Sequence, residues 1–388
     1  MATTDKQLSI EGHWDPRFGP VVDRFAAMLS APQERGAALC VAVGGQTLLD
    51  IWAGYADRHK QRPWQRDTLV NVFSCTKVFT AVIAMQLGEE GKLDLDVPMA
   101  RYWPEFGVNG KEQITLRQVL SHRSGLSAIH RQLPTEAMYD EALMTQVMAE
   151  ETPWWTPGQA HGYAPLTYGW LMAEPLRRIE GRAPRDSLIS RITSPLGIDF
   201  QLGLDDKDFP RVADIIRAKG IEGDAASQRM LHAMLKEPDS VTCHAFTSPP
   251  GALTRCNDPQ WRHLAQLAAS GHGNARSLVA FYVALLKGSL LSDQALAEMV
   301  QEHSVGDDMC LRTATRLGLG CMLDQPDQAN ATYGAGPRAF GHPGVGGSCG
   351  FADPERDLAF GFVTNTIGPY VLMDPRMQDL ARAVVACL

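Results

Sequence analysis

Ser74-Cys75-Thr76-Lys77 places a hydroxyl and an amine three positions apart at the start of an apolar run. On a helix, residues i and i+3 share a face, so Ser74 Oγ and Lys77 Nζ can meet. The N–H groups at a helix start favour a developing oxyanion. A serine hydroxyl becomes a nucleophile when a neighbouring base takes its proton, and a desolvated lysine or an ionised tyrosine can serve. Spacing alone is a weak signal, because an N-cap serine followed by a solvated lysine has the same pattern. More polar groups follow in order: Leu120-Ser121-His122-Arg123-Ser124-Gly125-Leu126, then Trp155-Thr156-Pro157-Gly158 with Tyr163 five residues later, then Gly341-His342-Pro343-Gly344-Val345-Gly346-Gly347. An HExxH helix, a Walker loop and a GxGxxG turn are all missing. The eight cysteines form no CxxC pair and no Cys/His metal spacing. The expectation is therefore chemistry without a metal or cofactor.

The elements that must position these groups read as a helix over 18–29, then strands 37–43 and 46–53 joined at Gly44-Gly45 as a hairpin. Residues 342–353 and 358–365, with a turn at 354–357, read as a second hairpin, followed by a closing amphipathic helix over 374–388. Between these ends, helical patterns run over 74–90, 116–121, 136–149, 165–179 and 275–287. Residues 203–259 carry several prolines and no clean period. The pattern predicts an α+β fold: residues 1–75 and 305–388 share an antiparallel sheet, and 76–304 form a mostly helical lobe, with the site in the cleft between them.

Length and composition bound the function. A chain of 388 residues with 45% hydrophobic and 21% charged residues can bury a large core. A net charge of −8 argues against binding a nucleic-acid backbone. Apolar stretches such as 78–87 and 278–286 fall short of the ~20 residues that span a bilayer. The first twenty residues lack an apolar leader, so a cytoplasmic protein with reduced thiols and no membrane partner is expected. Oligomeric state is not legible.

Taken together and in order, these motifs resemble the serine β-lactamase and penicillin-binding-protein superfamily, and more narrowly the family VIII carboxylesterases, over residues 36–365. The resemblance implies that Ser74 is acylated and that Lys77 is its first proton acceptor or electrostatic partner. It implies that Tyr163 is the second acid–base residue. Tyr163 stands in Tyr-Ala-Pro where the family usually has Tyr-x-Asn; Tyr168, near it in sequence, is the alternative. The family's Lys-Thr-Gly is matched by His342-Pro343-Gly344. The glycine allows close approach of the acyl group, and the N–H groups of Val345 and Ser74 would form the oxyanion hole. Losing the lysine removes a fixed positive charge at neutral pH and favours neutral esters. His342, Gly344 and Trp155 are expected to contact substrate, with Trp154, Trp155 and the 203–259 segment as walls. His122 reads as a buried, hydrogen-bonded loop residue. The implied activity is hydrolysis of small-molecule esters with small to medium acyl chains through an acyl-enzyme. Transacylase, lactonase and weak β-lactamase are alternatives on the same residues, and a non-catalytic binding relative is the rival from another class.

Overall fold

A computed structural model describes residues 9–252 and 254–388. The first eight residues, part of the stretch read above as lacking a leader, lie outside the described residues, as does Leu253.

Nine strands of the described residues build one sheet: β1 (Glu11–Trp14), β2 (Gly36–Val43), β3 (Gln46–Gly54), β4 (Ser304–Asp307), β5 (Ala314–Leu317), β6 (Met322–Leu323), β7 (Phe340–Pro343), β8 (Cys349–Asp353) and β9 (Leu358–Thr364). Their order is β1-β3-β2-β9-β8-β7-β6-β5-β4, every pair antiparallel. The two ends of the chain meet where β2 pairs with β9, with Val41 opposite Phe360.

Both faces of the central strands are buried, and side chains alternate between them. On β2, Ala37, Leu39 and Val41 enter one core and Ala38, Cys40 and Ala42 the other. The first core is closed by helices α1 (Gly19–Leu29) and α7 (Pro375–Val385), whose Phe18-adjacent stripe Val21, Phe25 and Leu29 meets Met377, Leu380 and Val384. The opposite face carries small residues, so helix α6 (Ala275–Leu286) can lie directly on the sheet. A side chain at Gly361 would meet the Ala275 carbonyl at 2.5 Å. Asn274 starts α6 with a reciprocal cap to Ser277.

Helix α2 (Thr76–Glu89) runs through the larger core and is buried on nearly every side, as a helix apolar all round must be. Helix α3 (Thr167–Glu180) and shorter helices over Leu116–Leu120 and Glu141–Glu150 pack beyond it. The stretch 203–259 contains helices α4 (Ala225–Lys236) and α5 (Val241–Thr247), plus a short strand, Ile216–Arg217, that pairs with Thr366–Ile367.

Three expectations need correction. Residues 342–353 are not one strand. Gly346 and Gly347 take φ of +92° and +117°, and the chain reverses there, so β7 and β8 are separate strands paired Pro343 to Cys349. The helix expected from residue 74 starts at Thr76, after a single 3-10 turn over Phe73–Cys75. The helix expected over 136–149 is a 3-10 segment, Thr135–Tyr139, followed by Glu141–Glu150. Asp140 separates them because its carboxylate accepts the Leu143 N–H at 2.9 Å and caps a new helix. Strand β1, unseen in the sequence, is an exposed edge strand with no alternating apolar face to announce it. No helix among the described residues is long and apolar enough to cross a membrane. Seven of the eight cysteines are buried.

Candidate active site

Ser74 sits in the turn that leads into α2. Phe73 before it is held at φ +47°, a left-handed conformation that a bulky side chain rarely takes, so the chain bends sharply at the serine. Ser74 is the second residue of its turn, and its N–H is one of the amides that a helix start leaves without an internal partner.

Lys77, one turn on, is fully buried. Its Nζ lies 3.3 Å from Ser74 Oγ, 3.0 Å from the Pro165 carbonyl oxygen and 3.1 Å from the Ala268 carbonyl oxygen. A neutral amine has two hydrogens and one lone pair. Two carbonyls can take both hydrogens, which leaves the lone pair for the Ser74 hydroxyl. Burial pushes the Lys77 ammonium well below its usual range, which favours that neutral form.

Tyr163 reaches the serine from the opposite side. Its phenol is within hydrogen-bonding reach of Ser74, and its ring centroid is 4.8 Å from Lys77 Nζ. Burial pushes the phenol up, with the Ser74 hydrogen bond opposing, so it is held protonated. Its backbone N–H donates to both oxygens of Asp308 at 3.0 Å. Asp308 is buried and also accepts from the N–H groups of Cys310 (2.9 Å) and Leu311 (2.8 Å). Asp308→Ala would strand these donors, at a cost of about 1–3 kcal/mol for each one left unpaired. The expected result is a lower thermal midpoint together with slower turnover as the Tyr163 backbone loses its anchor; circular dichroism melts and ester assays check both.

Tyr168, the alternative phenol, is directed elsewhere: its hydroxyl donates to the Lys77 backbone carbonyl at 3.2 Å. His122 is a buried loop residue whose Nδ1 accepts the Ala164 N–H at 3.0 Å.

On the far wall, the His342 ring centroid is 5.8 Å from that of Tyr163. His342 Nδ1 lies 2.7 Å from the Pro343 carbonyl oxygen. Burial, with the Lys77 charge adding to it, pushes the imidazole down to about 3, so it is neutral at physiological pH. Gly344 passes so close to the serine turn that a Cβ there would stand 2.2 Å from the Val72 carbonyl oxygen. Val345 follows, and its N–H has no protein partner among the described residues. The loop is pinned from behind by Arg376, whose Nη2 donates to the Gly346 carbonyl at 2.7 Å while Nη1 pairs with Glu34 and the guanidinium also binds Asp374.

Ser74, Tyr163, His342, Gly344 and Val345 all line one cavity of about 870 Å³. Its outer walls come from the segment that was illegible in sequence, including Ile221, Met230, Leu231, Met234 and Phe246. Trp155 stands outside the cavity. Its indole N–H donates to the Ala160 carbonyl at 3.0 Å and its ring backs Gly162, next to Tyr163. Trp154 also lies outside the cavity, stacked on His130 at 4.0 Å. Asp308 and Arg376 were missed by sequence reasoning. Neither belongs to a motif, and only the fold brings them behind the site. Among the described residues no cluster of His, Cys, Asp and Glu could hold a metal.

An antiparallel sheet packed against helices, with a helix-start serine, a buried amine and a phenol converging beside it, defines the β-lactamase class of serine enzyme folds. The chain belongs to the beta-lactamase family, whose model matches residues 21–383. It is 33% identical over 385 residues to the esterase/beta-lactamase LipL of Mycobacterium tuberculosis, covering 95% of this chain and 86% of that protein. A crystal structure of a family VIII carboxylesterase superposes with a TM-score of 0.87 at 31% identity, covering 98% of this chain and all of the other. EstA from Arthrobacter nitroguajacolicus Rue61a superposes with a TM-score of 0.83 at 29% identity, over 97% of both chains.

Proposed function

We propose that the protein is a serine carboxylesterase that cleaves small-molecule esters of small to medium acyl chains through an acyl-enzyme on Ser74. The observation that carries this reading is the convergence of the buried Lys77 and of Tyr163 on Ser74, with Ser74 and Tyr163 lining one apolar-walled cavity. Two titratable groups driven in opposite directions beside one nucleophile divide the acid–base work. Lys77, driven toward neutrality, takes the Ser74 proton as Oγ attacks. Tyr163, held protonated, gives a proton to the leaving alkoxide and is refilled from Lys77. The N–H groups of Ser74 and Val345 bind the oxyanion, and a single such donor is typically worth ~3–4 kcal/mol in the transition state. The neutral imidazole of His342, in the position of the family's lysine, suits a neutral ester better than a substrate carrying a carboxylate. A cytoplasmic location fits the scattered, mostly buried cysteines.

The test compares p-nitrophenyl esters from acetate to decanoate with a lactone and with nitrocefin at equal enzyme. Fastest turnover on the shorter esters is expected; a preference for nitrocefin overturns the esterase reading. Intact-mass spectrometry after a fluorophosphonate should find one adduct, on the Ser74 peptide.

Tyr163→Phe should slow turnover by about 10²–10⁴-fold, the span of a positioned acid–base group. Tyr168→Phe, which removes only a bond to a backbone carbonyl, should keep kcat within a few-fold. Steady-state kinetics of both variants check the assignment, and the reverse pattern would move the role to Tyr168.

A further inference from the structure

His342 holds its ring in one tautomer. Its Nδ1 faces a carbonyl oxygen, which can only accept, so Nδ1 carries the hydrogen. Nε2 is then a lone pair with no protein partner among the described residues, on a residue that lines the cavity opposite Tyr163. An acceptor placed there has nothing to do in acylation, where the ester brings no hydrogen to that side. It has a use in the second half-reaction.

We propose that His342 Nε2 holds the attacking water during deacylation and so selects water over alcohols as the acyl acceptor. This rests on the Ser74 acyl-enzyme of the preceding section. The water oxygen bonds to the acyl carbon and the acyl C–Oγ bond breaks. One water proton passes through the Lys77–Tyr163 pair to Ser74 Oγ. The other stays on the oxygen, hydrogen-bonded to Nε2, and departs with the carboxylic acid. His342 accepts a hydrogen bond and takes no proton. Water can satisfy both the base and Nε2 because it has two hydrogens. An alcohol has one; when the base takes it, Nε2 is left unpaired in a buried site, which is costly.

The experiment follows p-nitrophenyl butyrate with methanol present, reading the nitrophenolate burst for acylation and the ratio of methyl butyrate to butyrate for the choice of acceptor. His342→Leu removes the acceptor and should slow hydrolytic deacylation by about 10–100-fold, well beyond any slowing of the burst, and raise the methyl ester ratio by about 10-fold. His342→Gln restores an acceptor oxygen and should return the ratio toward the parent value. The unaltered protein gives an independent reading that needs no variant to fold: methanol should capture less than its molar share of the acyl group. Capture above that share, an unchanged ratio in His342→Leu, or a burst that falls in step with deacylation overturns the proposal. A parent protein that never carries an acyl group on Ser74 overturns the Ser74 reading itself, and the proposal with it.

Discussion

Ser74→Ala is expected to leave a folded protein whose turnover of p-nitrophenyl butyrate has fallen by about 10⁶-fold, the scale seen when an enzyme loses its nucleophile. The fold should survive, because the Ser74 side chain holds no part of the turn; its hydroxyl faces the Lys77 amine and the Tyr163 phenol. Steady-state assays give the rate, and the fluorophosphonate adduct should vanish with it. Turnover near the parent rate would mean that another group attacks the ester.

Lys77→Met comes second, with an expected loss of about 10⁴-fold in kcat/KM, the upper end for a positioned base. Methionine fills the channel but offers no lone pair to the hydroxyl, and the labelling rate should fall with turnover. The pH profile of the parent carries the same information. Only the neutral amine can accept the Ser74 proton, so kcat/KM should rise with pH through the depressed Lys77 value and level off well below ~10.4, where a free lysine titrates. His342, already neutral above about 3, should add no limb near neutrality. The sign for stability follows from proton counts. Between the depressed value and ~10.4 the unfolded chain binds a proton that the folded one does not, so this residue favours folding more as pH rises through that window. A profile that climbs until pH 10 would show a lysine with ordinary basicity and remove it as the base.

What the sequence made legible was local. The spacing of Ser74 and Lys77, the paired glycines of the first hairpin and the apolar stripe before Leu29 each depend on residues a turn or two apart. That strands from the two ends of the chain share one antiparallel sheet was also readable, because each end carries a hairpin pattern. Asp308 was not, since its value lies in accepting the N–H of a residue 145 positions earlier. Trp155 misled for a related reason: a large aromatic beside Tyr163 in the chain satisfies its own indole within its loop instead of turning to the ester. The walls from Ile221 to Phe246 lacked a readable period because a surface lining a cavity answers to the shape of its contents rather than to a buried core.

Those walls and the reacting atoms belong to different stretches of polypeptide. Ser74 and Lys77 are anchored to the helix framework and His342 to a strand, whereas much of the outer cavity wall comes from one excursion of the chain. Exchange of residues within that excursion can therefore retune which molecules are admitted while leaving Ser74, Lys77 and Tyr163 where they are. Such a division gives a lineage room to diversify its diet without rebuilding its chemistry.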